Sequence, residues 1–225
     1  MLDTIEPKIV FEDDAIVVLD KPAGLQSTLD GHEERPTVAA FLAERYPGAQ
    51  LAHRLDRETS GIIIAAKNAA ALQELKRQFK EREIQKTYRA FIYGHLQDTR
   101  GIIDRPVGSA RGGRAPRSAT RPYGNLRSAR TVYKLLGKGD GTSYIEAFPQ
   151  TGRTHQIRAH FAAIQHPLVC DKQYAPSRPC LLGFERLALH ALSLSLKHPV
   201  SGEEVMFQAP LPLDFGAAEQ ELRNA

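Results

Sequence analysis

Cysteine is scarce in this chain. Its 225 residues hold two, Cys170 and Cys180. That excludes a multi-bridge disulfide scaffold and a zinc site made from four paired thiolates, and it suggests reduced thiols in a cytoplasmic setting. Long apolar runs are missing too. A stretch such as Ile62-Ile63-Ile64-Ala65-Ala66 falls far short of the ~18 residues that a membrane span needs, and the mean hydropathy is -0.36. The opening residues, Met1-Leu2-Asp3-Thr4-Ile5-Glu6-Pro7, are acidic and lack the apolar centre of a secretion signal. Neither G-x-G-x-x-G nor G-x-x-x-x-G-K-S/T occurs, so nucleotide-dependent chemistry is not indicated. No metal is expected. His155 and His160 are five apart and would lie on different faces of a helix, where a spacing of four would bring them together.

What is present is ordinary for a globular chain: 42% hydrophobic and 25% charged residues, at a length that makes one large domain or two small ones. The net charge is only +4, but its distribution is uneven. Arg100 to Lys134 holds nine basic residues and one acid, a net of +8, and the remainder of the chain is at −4. Eight of the nine are Arg, whose planar fork suits phosphate. Gly and Pro are frequent there, so the stretch reads as a long loop or an irregular hairpin, mobile until a polyanion such as nucleic acid orders it.

The remaining pattern is mixed. Strands are expected at Lys8–Glu12, Ala15–Asp20, Gly61–Ala66, Thr87–Tyr93, Thr131–Leu136, Tyr144–Phe148, Leu187–Leu196 and Val205–Gln208. Helices are expected from about Thr37 to Tyr46, over Asn68–Glu83 with Leu72, Leu75 and Phe79 on one face, and over Thr154–Ile164 capped by Thr151 or Thr154. Without regular strand–helix alternation, the fold class is α+β with a largely antiparallel sheet.

Three segments could hold chemistry. His53-Arg54-Leu55-Asp56-Arg57-Glu58-Thr59-Ser60-Gly61 is a polar loop leading into a buried strand, and an Arg beside an Asp favours the ionised carboxylate. Thr151 to His160 opens a helix with Arg, His and hydroxyls, a good anion site, and Arg158 lies one turn from His155. In Lys86-Thr87-Tyr88-Arg89-Ala90, Tyr88 points away from Thr87 and Arg89, either into a core or toward a base on which it stacks. His160, His166 and His190 read as hydrogen-bonded structural residues. The carboxylate pair Asp56 and Glu58 also admits a hydrolase, although two residues apart they need not face each other.

These segments resemble the RluA-type pseudouridine synthases. The nine residues from His53 to Gly61 are similar to the family's H-R-L-D-x-x-T-S-G signature. Lys21-Pro22-Ala23-Gly24, Lys86-Thr87-Tyr88, Thr151 to Arg158, Leu189-His190-Ala191 and His198-Pro199 stand in family order. The resemblance implies a single catalytic domain over 1–225, with its core at about 8–215, on a mixed, mostly antiparallel bent sheet in two halves with flanking helices and a central RNA-binding cleft. It implies an isomerase for uridines of tRNA or large-subunit rRNA that needs no cofactor. Asp56 would be the catalytic aspartate, Arg158 would pair with it and hold it ionised, and Tyr88 would stack near the uracil. Arg54 would sit by the gap left by the flipped uridine, with Lys21 and His155 in matching blocks. Arg111, Arg114 and Arg117 of the basic stretch would meet RNA. With about seven residues before the first strand, no S4-type RNA-binding domain is expected, and a monomer is. The chain departs from the family after the Arg158 helix, where Gln165, Cys170 and Ala175 stand in place of three glycines. That bears on substrate identity, since glycine often marks positive φ or a close backbone approach. A catalytically silent RNA-binding module is the competing reading, and it would not need Asp56, Tyr88 and Arg158 together.

Overall fold

The computed structural model describes residues 5–29, 36–110 and 117–224. Arg111 and Arg114 lie outside these residues. In chain order the elements are β1 (Lys8–Glu12), β2 (Ile16–Lys21), α1 (Val38–Arg45), β3 (Gln50–Leu51), β4 (Ser60–Ala66), α2 (Ala69–Glu81), β5 (Gln85–Tyr93), β6 (Arg100–Asp104) and β7 (Val107–Ser109). Next come β8 (Arg117–Ser118), β9 (Tyr123–Arg127), β10 (Arg130–Gly139), β11 (Thr142–Pro149), α3 (Gln156–Ala163), β12 (Leu189–Lys197), β13 (Glu204–Gln208) and α4 (Leu213–Asn224). The fold is α+β, mostly antiparallel, as expected. It divides into two compact units, residues 1–86 with 191–210 and residues 87–190 with 211–225.

In the first unit the strands run β1-β2-β4-β12, with β13 on β12 and β3 on β4. Ile16, Val17, Val18 and Leu19 of β2 and Ile62, Ile63 and Ile64 of β4 are all fully buried. A strand apolar at every position is covered on both faces. Thr37 and Asn68 cap α1 and α2, their side chains accepting from the Ala40 and Ala71 amides at 3.0 and 2.9 Å. The buried face of α2 is Ala71, Leu75 and Gln78, rather than Leu72, Leu75 and Phe79. Gln78 is drawn inward because its amide exchanges hydrogen bonds with the backbone of Lys197, at 2.8 and 3.1 Å.

In the second unit the order is β5-β11-β10-β6, with a separate three-stranded sheet β8-β7-β9. The alternating residues of β5 divide two cores. Ala90 and Ile92 pack with Ile145, Ile157, Phe161 and Leu168, while Phe91 and Tyr93 pack with Tyr144, Phe184, Phe215 and Ala218. Helix α4, absent from the expected elements, supplies Phe215 and Ala218. Its pattern is masked by Pro210, Pro212 and Gly216.

One expectation is narrowed here and one is corrected. Of the two forms expected for Arg100–Lys134, the described part takes the irregular hairpin, as short antiparallel strands leading into β10, and not the long loop. These strands are two to five residues long, too short for an alternation to read. They are held by packing of Val107, Ala119 and Ala129 on Ala159 and Ala163 of α3. The two cysteines, expected as free thiols, form a Cys170–Cys180 disulfide, with their Cα atoms 4.6 Å apart across a ten-residue separation. The turns between them return the chain on itself, which sequence spacing does not reveal. Among the described residues, no helix is long and apolar enough to cross a membrane.

Candidate active site

Asp56 sits in the loop between β3 and β4, and its backbone is fixed from both sides. On one side the Ser27 hydroxyl donates to the Leu55 carbonyl at 2.8 Å and accepts the Leu55 amide at 3.0 Å. On the other, the Arg57 carbonyl accepts from the Gly24 amide at 2.9 Å and the Lys21 ammonium at 3.0 Å. A turn closes between them, with the Thr59 amide donating to the Asp56 carbonyl at 3.1 Å. Asp56 itself remains partly exposed, and Arg54 is exposed beside it. A carboxylate on a rigid loop with a preset direction is what acid–base or nucleophilic work requires. Glu58 is engaged by Arg57 at 3.0 Å on the surface, so it offers no buried partner for hydrolysis by two carboxylates.

Lys21 is a tether rather than a surface cation. It is fully buried, and its ammonium donates to the carbonyls of Pro22, Leu25 and Arg57 at 3.0, 2.7 and 3.0 Å. The Lys-Pro-Ala-Gly turn therefore grips the Asp56 loop. Replacing Lys21 with Met strands buried carbonyls, each costing about 1–3 kcal/mol when unsatisfied. Lys21→Met is expected to lose about 3 kcal/mol in urea unfolding and to lower turnover, because Arg57 is then held by the Gly24 amide alone. Full stability in that variant would remove the tether.

His53 opens the same loop. Its Nε2 accepts the Ile64 amide at 3.2 Å, and its ring lies 4.8 Å from that of Phe79. Burial, reinforced by the Lys86 charge, lowers its pKa to about 3. A histidine held neutral in the fold but ionising near 6.5 when unfolded stabilises fully above 6.5. That stability is lost as pH falls from 6.5 toward 3, at up to about 1.4 kcal/mol per unit. Between pH 6.5 and 5 the wild type is therefore expected to lose about 2 kcal/mol more than His53→Gln, which keeps an acceptor for Ile64. Parallel losses in urea titrations would contradict this.

In the second unit, Tyr88 is partly buried at the margin of the core that holds Ala90 and Ile92. It lies opposite Ala147 in the β5–β11 register. Its neighbour Arg89 points the other way and pairs with Glu146 at 3.0 Å, as the alternation of a strand dictates. Arg158 on α3 is buried. Its Nε and one Nη donate to the two oxygens of Asp171, both at 2.8 Å, and the same Nη reaches Gln173 Oε1 at 2.8 Å. Its guanidinium carbon lies 5.2 Å from the Tyr174 ring centre.

The start of α3 differs from the expected threonine cap. His155 holds the cap position at φ 55° with no side-chain cap bond. The Thr151 hydroxyl is 2.6 Å from Gln156 Oε1. Gln156 in turn donates to the Arg130 carbonyl and Thr131 Oγ1, both at 3.0 Å. Buried Gln156 thus sets the turn that places His155 and Arg158. His155 Nδ1 lies 3.5 Å from the Tyr174 hydroxyl, which donates to the Arg117 carbonyl at 2.9 Å. His160 and His166 are structural, as expected. A carbonyl only accepts, so His160 Nε2 donates to Arg105 at 3.0 Å and Nδ1 accepts from Thr131 at 2.9 Å. His166 Nδ1 donates to Tyr93 at 2.8 Å.

Asp171, Gln156 and Ser27 are the residues that sequence reasoning missed. For Asp171 a signal existed. A buried arginine needs a counter-charge, and Asp171 is the one acid between Gln165 and Ala175. No group of three or more metal-binding side chains occurs among the described residues.

Comparison with known proteins agrees with this arrangement. The family model described as RNA pseudouridylate synthase matches residues 15–163. The dual-specificity RNA pseudouridine synthase RluA of Escherichia coli K12 is 38% identical over 204 residues, 90% of this chain and 92% of that protein. The ribosomal large subunit pseudouridine synthase D of Nitrosomonas europaea is 36% identical over 236 residues, 99% of this chain and 67% of that protein. Among solved structures, the human RNA pseudouridylate synthase domain containing 1 aligns over 92% of this chain and 84% of its own, at 30% identity and a TM-score of 0.77.

Proposed function

Because this chain belongs to the RluA-type RNA pseudouridine synthases, isomerases that convert uridine to pseudouridine in RNA, we propose that Asp56, Tyr88 and Arg158 perform its reaction. We place its substrate uridine in a stem-loop of tRNA or large-subunit rRNA. One relative is named a dual-specificity RNA enzyme and another a ribosomal large-subunit enzyme, which supports more than one kind of RNA target, with large-subunit rRNA among them. The observation that supports Asp56 most is its loop, pinned at Leu55 by Ser27 and at Arg57 by Lys21 and Gly24.

The reaction breaks the bond from uracil N1 to ribose C1′ and forms one from C5 to C1′. The C5 proton leaves, N1 regains a proton, and nothing is oxidised or reduced, so the chemistry requires no redox or energy cofactor. The uridine first leaves its stack, at a cost of a few kcal/mol offset by pocket contacts. In this reading Asp56 opens the reaction, by attack on base or sugar or by removing the C2′ proton. Arg158 is its counter-charge, and Tyr88 stacks beside the uracil. Arg54, His155, Arg111, Arg114 and Arg117 hold RNA, while Lys21 serves through the loop that it tethers. The protein acts as a monomer in the cytoplasm.

The test is tritium release from RNA labelled at uracil C5, with tRNA and rRNA offered separately. Release from one pool identifies the RNA class. Salt-sensitive binding of both pools without release from either would leave only an RNA-binding module. Every phosphate that the protein neutralises adds about 0.9 to the steepness with which log affinity falls against log salt. Arg54→Ala or Arg117→Ala is therefore expected to reduce that slope by about 1. An unchanged slope would take that arginine off the RNA backbone.

A further inference from the structure

The loop from Cys170 to Cys180 lies where this chain departs from the family pattern that it resembles. Two of the three substituted glycines stand at positive φ, Gln165 at 66° and Cys170 at 58°. Both non-glycine residues thus hold a left-handed conformation that side chains enter only under strain. At Cys170 the added side chain makes the disulfide.

The residues just after Cys170 grip Arg158. Asp171 takes the guanidinium with both carboxylate oxygens. Gln173 takes it with a third bond, and the Tyr174 ring flanks it. Asp171 is fixed in turn by the Gln173 and Tyr174 amides, which donate to its Oδ1 at 3.0 and 3.1 Å. We propose that this loop is the positioning element of Arg158, with Asp171 and Gln173 holding the guanidinium and the Cys170–Cys180 disulfide holding the loop. The inference rests on Arg158 acting in catalysis.

The loop has a second, weaker tie. The Tyr93 hydroxyl accepts the Cys170 amide at 3.1 Å and donates to the Pro179 carbonyl at 2.6 Å. Opening the disulfide thus relaxes the loop without releasing it, and the effect on rate is graded. The bond is open to exchange at one end, because Cys180 is exposed while Cys170 is buried. A thiolate of a small dithiol attacks Cys180 Sγ, the S–S bond breaks, and Cys170 leaves as a thiolate that takes up a proton. The second dithiol sulfur then displaces Cys180, giving two protein thiols and one cyclic disulfide. A low-molecular-weight disulfide such as oxidised glutathione reverses the sequence.

The experiment measures single-turnover rate and RNA affinity for wild type before and after dithiothreitol, with thiols counted by alkylation and mass. The reduced protein is expected to turn over about tenfold more slowly, the scale of a slight misplacement of a catalytic group. RNA affinity should stay within about twofold, and oxidised glutathione should restore the rate. Cys180→Ser, which alters an exposed residue, should stay at the reduced rate in either condition. Asp171→Asn should lower the rate further, again without loss of affinity. Equal rates in the two redox states, with the bond shown to be open, would overturn the proposal, as would a change confined to affinity. If Arg158→Lys turns over at the wild-type rate, the catalytic reading of Arg158 itself has failed.

Discussion

Asp56→Asn is expected to lose about 10⁴-fold in turnover while binding RNA as wild type does. The two side chains are nearly the same size. The pins on Leu55 and Arg57 are backbone bonds that the substitution does not touch. The loop should therefore keep its shape and lose only a group that can attack or accept a proton. Removing such a group typically costs several powers of ten. The measurement is tritium release with filter binding on the same RNA, and the expected result is an unchanged binding curve beside an absent product. Turnover within tenfold of wild type would take Asp56 out of the chemistry. Joint loss of binding and turnover would mean that its role is to hold RNA.

Gly61→Ala is expected to cost about 3 kcal/mol or more, although it adds one methyl group. Gly61 has φ +109°, a region that other residues enter only under strain. A Cβ there would collide with the backbone oxygen, carbon and nitrogen of Ala191. The collision involves main chain, so no rotamer relieves it, and strand β4 would have to separate from β12. A loss of that size lowers Tm by roughly 10 °C in a protein of this length. Ala191→Gly removes a side chain that is not the obstacle, so it should not rescue Gly61→Ala. Rescue would mean that the Ala191 side chain, rather than its backbone, blocks the added methyl.

The loop that carries Asp56 was legible because its pattern is local. The polar loop from His53 to Gly61 and the strand after it are contiguous, and strands without alternation announce a sheet covered on both faces. Thr37 and Asn68 were readable as helix starts, and the structure makes them the caps. The unread features depend on partners distant in sequence. The tethering role of Lys21 was not readable because sequence does not show that three carbonyls converge on it. Gln78 reads as solvent-facing until Lys197 is known to lie beside it. Thr151 reads as a cap but is engaged by Gln156, which belongs to the turn rather than the helix face. In the arginine-rich stretch, tertiary packing on the alanines of α3 makes strands from residues with no strand pattern.

The discontinuous first unit bears on how the chain is made. The polypeptide leaves that unit after residue 86 and returns at residue 191. Gly61 thus meets Ala191 only once the ribosome has added 130 more residues, 62 to 191. At 5–20 residues per second this is a wait of about 7–26 s. Throughout it, the apolar residues of β4 lack the strand that covers one of their edges. That interval favours protection by a chaperone, and premature termination before β12 would leave that edge of β4 permanently uncovered.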